Sequence, residues 1–280
     1  MPERDIREMT DEEIIKELEN MGIVISIDDY KEEAVKAGSP TDLADYWKVL
    51  FGIRNSKEDF LYEAAFELWR RHLSDVKCPE MLALFIDEIV NMYVDKPYAH
   101  DRFSILNIFD MIKDFYQELL KEDGSPDTDL YNRLTLLAYN DFEAFLVNIP
   151  YQLARQGFVD EAVSIGRWFG ELSSQPENFF RDTGCILAEA GRRGEAILQV
   201  EENLQRFPND IWVVINAGDA ISNLGDKERA EKFFLKAYGM TEKQYDKAGV
   251  LERLIELYSE MGMLEKSAAY QKEFNDLTQS

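Results

Sequence analysis

The sequence predicts an all-α protein, a right-handed solenoid of antiparallel helical hairpins with about 14 helices. Three observations lead there. Apolar residues recur at helical spacing along most of the 280 residues, and strand-like alternation is nearly absent. The apolar runs are separated by Ser, Asp, Pro and Gly at positions that start and stop helices. In the second half, a Gly followed five residues later by a small side chain returns at a near-constant interval. With 45% apolar and 31% charged residues, the chain has the composition of a globular protein rather than a disordered one.

The elements follow in order. "MGIVISIDDY", with Ile23, Val24, Ile25 and Ile27 close together, reads as a junction between two helices. Gly22 ends the first helix in the left-handed conformation. Ser26 caps the second, with Asp29 completing a capping box and Ile25 stapled against Tyr30. Ser39-Pro40 opens the helix "TDLADYWKVLF", and Ser56 opens "KEDFLYEAAFELWRRHL", with Glu58 and Asp59 in its first turn where negative charge suits the helix dipole. Cys78-Pro79 and Pro97 open the next two. "DGSPDTD", from Asp123 to Asp129, is the most loop-like stretch. It suggests two regions in one continuous core: an irregular helical region, 1–125, and helical repeats, 126–280.

Gly157, Gly191, Gly225 and Gly262 stand 34, 34 and 37 residues apart. Five residues after each comes Ala162, Ala196, Ala230 or Ser267; seven before comes Pro150, Gly184, Gly218 or Ile255. A helix–turn–helix hairpin explains the pattern. The recurring Gly ends the first helix with a positive φ. The flanking small residues let the two antiparallel helices cross closely, and Leu187, Ile221 and Phe234 fill the space on either side. One hairpin cannot bury its apolar face alone, so hairpins stack. Pro150 falls inside its helix and predicts a kink. Gly124, 33 residues before Gly157, would end a degenerate earlier unit with Asp129 in the partner position.

This spacing resembles the tetratricopeptide repeat family, whose units of about 34 residues carry small residues at the eighth and twentieth positions, Gly at the fifteenth, an apolar or aromatic residue near the twenty-fourth and Ala at the twenty-seventh. The unit from Ile211 matches best, with Gly218, Gly225, Asp226, Ala230, Phe234 and Ala237. The unit from Glu177 has Gly184, Gly191, Ala196 and Pro208, with Asn203 where a small apolar residue is usual. The unit from Glu143 keeps Gly157 and Ala162. The unit from Ala248 is the most divergent, with Ser267 for Ala and Gln271 at the aromatic position. The resemblance covers about half the chain.

The resemblance implies a concave groove lined by the first helix of each unit. Carried over residue by residue, the groove holds Asn148, Tyr151 and Arg155; Arg181, Asp182 and Glu189; Trp212, Asn216, Asp219 and Asn223; and Glu252, Arg253 and Glu256. Some relatives clamp an acidic peptide tail with Lys, Arg and Asn. Here the cations are balanced by carboxylates, which suits a basic or mixed-charge peptide or protein segment better. The expectation is a non-catalytic adaptor.

The charge balance points the same way. There are 55 acidic and 31 basic residues, a formal net charge of −24. Residues 1–140 carry 31 acidic and 16 basic residues and residues 141–280 carry 24 and 15, so no acidic tail is set apart. Such a field disfavours nucleic acid as a partner. No apolar run is long enough to span a membrane, and the first residues lack the apolar core of a signal peptide. Cys78 and Cys185 are far apart and form no C-x-x-C, so buried thiols in a cytoplasmic protein are expected. No P-loop, G-x-S-x-G, H-E-x-x-H or dinucleotide fingerprint occurs, and no cofactor or metal is expected. The enzyme alternative is a metal-dependent phosphohydrolase of the helical HD type, using His72, His100 and Asp101. A third reading is self-association through the C-terminal helix, where Tyr270 and Phe274 lie one turn apart.

Overall fold

The computed structural model describes residues 5–54, 57–94 and 101–279. The expected start signals at Ser56 and Pro97, and His100, lie outside the described residues. Among the described residues the regular structure is helical: α-helices α1 to α16, a 3-10 turn at Ile6–Glu8 and one isolated bridge between Leu120 and Pro126. By its contacts the chain divides into two units, Met1–Glu88 with Arg133–Asn140, and Ile89–Asn132 with Asp141–Ser280. The boundary expected near residue 125 falls inside the second unit.

The first unit holds α1 (Asp11–Asn20), α2 (Ile27–Ala37), α3 (Pro40–Phe51) and α4 (Lys57–His72). Local chemistry sets their ends. Ser26 Oγ accepts from Asp29 N while Asp29 returns a bond to Ser26 N, which is the expected capping box. Gly22 has φ +94°, and Ile23 N donates to Leu18 O. Ser39 caps α3, with Pro40 in its first turn. Ile25, Tyr30, Trp47 and Trp69 lie in one buried cluster. The polar tips of the aromatic groups are satisfied: Tyr30 donates to Ala65 O at 2.6 Å and Trp69 to Val76 O at 3.2 Å.

In the second unit, α6 (Arg102–Glu118) ends at Leu119, ahead of the loop predicted from sequence, and α7 begins at Thr128 (Thr128–Leu137). Gly124 therefore closes a turn rather than a helix. Its N–H donates to Lys121 O, and Ser125 O accepts from Lys121 N.

The recurring glycines follow the helices α8 (Phe142–Arg155), α11 (Thr183–Glu189), α13 (Ile211–Asn223) and α15 (Gln244–Glu260). Gly157, Gly191, Gly225 and Gly262 have φ between +71° and +88°. The residue after each donates its N–H to the carbonyl four residues before the glycine: Leu153, Leu187, Ile221 and Tyr258. The return helices are α9 (Val159–Gly170), α12 (Arg193–Arg206), α14 (Lys227–Tyr238) and α16 (Leu264–Gln279). Each pairs with the helix before it, and α11 packs on α13 and α13 on α15. Ala162, Ala196 and Ala230 are fully buried. A methyl group at Gly184 would stand 2.9 Å from Val200 Cγ2, and one at Gly218 would stand 2.4 Å from Phe234. Close crossing is thus the reason for the small residues. Pro150 occupies the equivalent place in α8, and that helix continues through it to Arg155.

One unit departs from the pattern. Its first helix is broken at Arg181–Asp182 into α10 (Pro176–Phe180) and α11, which gives sixteen α-helices among the described residues against about 14 expected. The break frees the carbonyl of Phe180. Thr183 Oγ1 and Asn203 Nδ2 both donate to it at 2.6 Å, and Gln199 Nε2 donates to Asn203 Oδ1 at 3.0 Å. Asn203 is buried where a small apolar residue was expected because it closes this gap.

Candidate functional site

A recess of about 380 Å³ opens in the second unit, on the side of α8, α11, α13 and α15. Its walls include Tyr151 from α8, Arg181 and Asp182 from the break, Trp212, Asn216, Asp219 and Asn223 from α13, and Arg253 from α15. With Glu189, nine of the thirteen groove residues carried over from the repeat pattern are therefore together, and Cys185 completes the lining. Cys185 was expected only as a buried thiol. It is buried, its Sγ donates to Asn216 O at 3.2 Å, and its thiol is pushed well up, chiefly by burial.

The other four lie elsewhere, Glu252 and Glu256 in a shallow recess of the last pair. Asn148 is exposed, donates to Ala144 O at 2.6 Å and lines a neighbouring recess that shares Arg181. Arg155 is exposed near the end of α8, close enough to Tyr93 to act on it electrostatically.

Along the recess, side chains 34 residues apart are bonded to each other. Asn216 Nδ2 donates to Asp182, Trp212 Nε1 donates to Asp246 Oδ1 at 3.1 Å, and Arg253 Nε pairs with Asp219 Oδ2 at 3.3 Å. Asn216 and Asp182 hold equivalent positions in consecutive pairs, nine residues before Gly225 and Gly191; the other two contacts join positions offset by three, because the last interval is 37. Trp212 is half-buried. Its ring packs on Gly249 and against Tyr245, with centroids 5.8 Å apart, while it still lines the recess, so it serves both core and surface.

The two aspartates are held in an unfavourable state. Asp182 is only 15% exposed; burial raises its pKa, and Arg181, Tyr151 and Asn216 offset this only in part. Asp219 is raised for the same reason against the opposing pull of Arg253. A groove that keeps such carboxylates favours a cation brought from outside.

A larger recess, about 800 Å³, lies in the first unit beside Ile6, Phe60, Phe66 and Leu84. Its buried carboxylate, Glu67, is already engaged by Arg70 and Arg71 at 2.7 Å. Size alone therefore does not select it.

The residues of the metal reading have other tasks. His72 Nε2 lies 2.7 Å from Asp11 Oδ2, and Asp101 caps α6 through bonds from Phe103 N and Ser104 N. Among the described residues no group of three or more His, Cys, Asp or Glu is placed to hold a metal ion. Likewise no described helix is long and apolar enough to cross a membrane. At the C-terminus Tyr270 turns inward, stacked on Tyr258 with centroids 5.6 Å apart. Phe274 lines a shallow recess with Ile255 and Gln271, and α16 has no fully buried residue.

No family model matches the chain, and no curated protein matches it significantly.

Proposed function

We propose that the second unit is a tetratricopeptide-like solenoid and that the protein is a non-catalytic adaptor binding a peptide or protein segment in the recess beside α13. One observation carries this reading: polar and aromatic side chains from α8, α11, α13 and α15 line one concavity, and Asn216 bonds to Asp182 and Arg253 to Asp219 between successive hairpins along it. Stacked hairpins build such a continuous concave surface, and extended segments are what it fits. The mixture of carboxylates and guanidiniums favours a segment of basic or mixed charge.

An array of acidic, neutral and Arg- or Lys-bearing peptides tests it. Purified protein is expected to retain a subset that contains a cationic residue. Trp212→Ala combined with Asn216→Ala should abolish retention while the circular dichroism and melting cooperativity stay those of a folded helical protein. Retention at unchanged affinity in that double variant would remove the recess from the function.

A further inference from the structure

We infer that the recess contains a cation subsite, which takes an arginine side chain of the bound segment with Asp182 as its main acceptor. This rests on the groove reading above and narrows it.

The argument is one of unfilled bonding capacity. An ionised carboxylate accepts roughly four hydrogen bonds. In the folded chain Asp182 receives bonds from two neutral donors, the Tyr151 hydroxyl and the Asn216 amide. Its nearest cation, Arg181, stands 3.7 Å away through Nε, outside hydrogen-bond distance, and donates through Nη1 to Asn178 Oδ1 at 3.1 Å instead. Arg253 is committed to Asp219 and to Gly249 O, 3.2 Å away. Among the described residues no charged donor comes within hydrogen-bond distance of Asp182, and Arg181 acts on it only as a looser ion pair.

Carboxylates outnumber guanidiniums here: Asp182, Asp219 and Glu189 face Arg181 and Arg253, and Glu252 and Glu256 stand beside Arg253 and Asp219. The surplus draws a cation. Guanidinium fits better than ammonium because its planar fork pairs side-on with a carboxylate and stacks on aromatic rings, and Trp212 and Tyr151 are both in the wall.

The test is a nuclear magnetic resonance titration that follows the indole N–H of Trp212, assigned by its loss in Trp212→Phe, and the side-chain amide of Asn216. Three probes are compared: the capped tripeptide Ac-Ala-Arg-Ala-amide, its Ac-Ala-Leu-Ala-amide counterpart, and free agmatine. The arginine tripeptide should move both signals saturably, agmatine should bind more weakly, and the leucine tripeptide should move neither. Asp182→Asn should weaken the arginine tripeptide about tenfold or more, the loss of a charge-assisted bond, while Glu63→Gln in the first unit changes nothing. Equal shifts from the leucine tripeptide, an unchanged response in Asp182→Asn, or no response to arginine would overturn the subsite. Tighter binding of agmatine than of the tripeptide would overturn a segment as its source. The array separates this failure from that of the groove. Neutral peptides retained by the native chain and lost in the Trp212/Asn216 double variant would leave the groove standing without a cation subsite.

Discussion

Asp182 shows how one residue sets local stability against its proposed binding role. Its carboxyl is raised by burial, opposed by Arg181, Tyr151 and Asn216 and reinforced by the negative charge of Asp219. The folded-state pKa therefore lies above the unfolded one, so ionisation destabilises the fold at every pH above the folded value and the penalty fades as pH falls through it. Asp182→Asn, neutral throughout, should melt higher than the native chain near neutrality, and the difference should shrink on acidification. Melting curves across a pH series check this. Asn203 makes the complementary case. Asn203→Leu takes a donor from the Phe180 carbonyl and leaves Gln199 without its acceptor, at a cost of about 1–3 kcal/mol in urea unfolding. A neutral effect would mean that Thr183 alone satisfies that carbonyl.

At the scale of the element, the hairpin is fixed by two kinds of glycine with different physics. Gly225 is needed for its backbone, with φ +84° at the end of α13. Gly225→Ala should cost about 1–2 kcal/mol, the strain of a left-handed L-residue. Gly218 has ordinary helical geometry and is needed for its missing side chain. Gly218→Ala drives a methyl to 2.4 Å from Phe234 and should cost about 1–3 kcal/mol. Adding Phe234→Leu should recover part of the second loss and none of the first, and denaturant unfolding of the four proteins separates the mechanisms. Ion pairs also link successive hairpins: Arg206 with Glu171 at 2.7 Å, Arg229 with Glu201 at 3.2 Å and Lys266 with Glu231 at 3.2 Å. They are largely exposed, and each contributes at most about 1 kcal/mol. Register is therefore held by the buried small residues and the apolar side chains around them.

For the whole molecule the dominant quantity is charge. A net charge of −24 places the recess in a negative field that draws cationic segments and repels a second copy of the chain. Association of a basic peptide should slow markedly between low and physiological salt, as its attraction to exposed carboxylates is screened over about 8–10 Å. Stopped-flow measurement at several ionic strengths checks this, and an association rate independent of salt would mean that contacts inside the recess act alone. Light scattering over the same salt series tests self-association through α16, where Tyr270 and Phe274 are both half-buried, the one stacked on Tyr258 and the other lining a shallow recess.

The sequence by itself determined the helical class, most helix starts, and the end of each repeated first helix. These depend on interactions within a few residues: a capping side chain, a proline, a glycine with positive φ. It also grouped most of the recess, because residues one repeat apart stack when hairpins stack, as Asn216 and Asp182 do; the pairing of Arg253 with Asp219, which hold different positions in their units, was left to packing. Tertiary structure decided the rest. The break at Arg181–Asp182 depends on Asn203, more than twenty residues away, and no local rule joins the two. The use of Cys185 as a wall, the loss of Arg155 from the group and the division of the chain on either side of residues 133–140 likewise follow from packing between distant segments. A helix can be written in neighbouring residues, but the satisfaction of a freed carbonyl or the burial of a carboxylate exists only once distant parts of the chain have met.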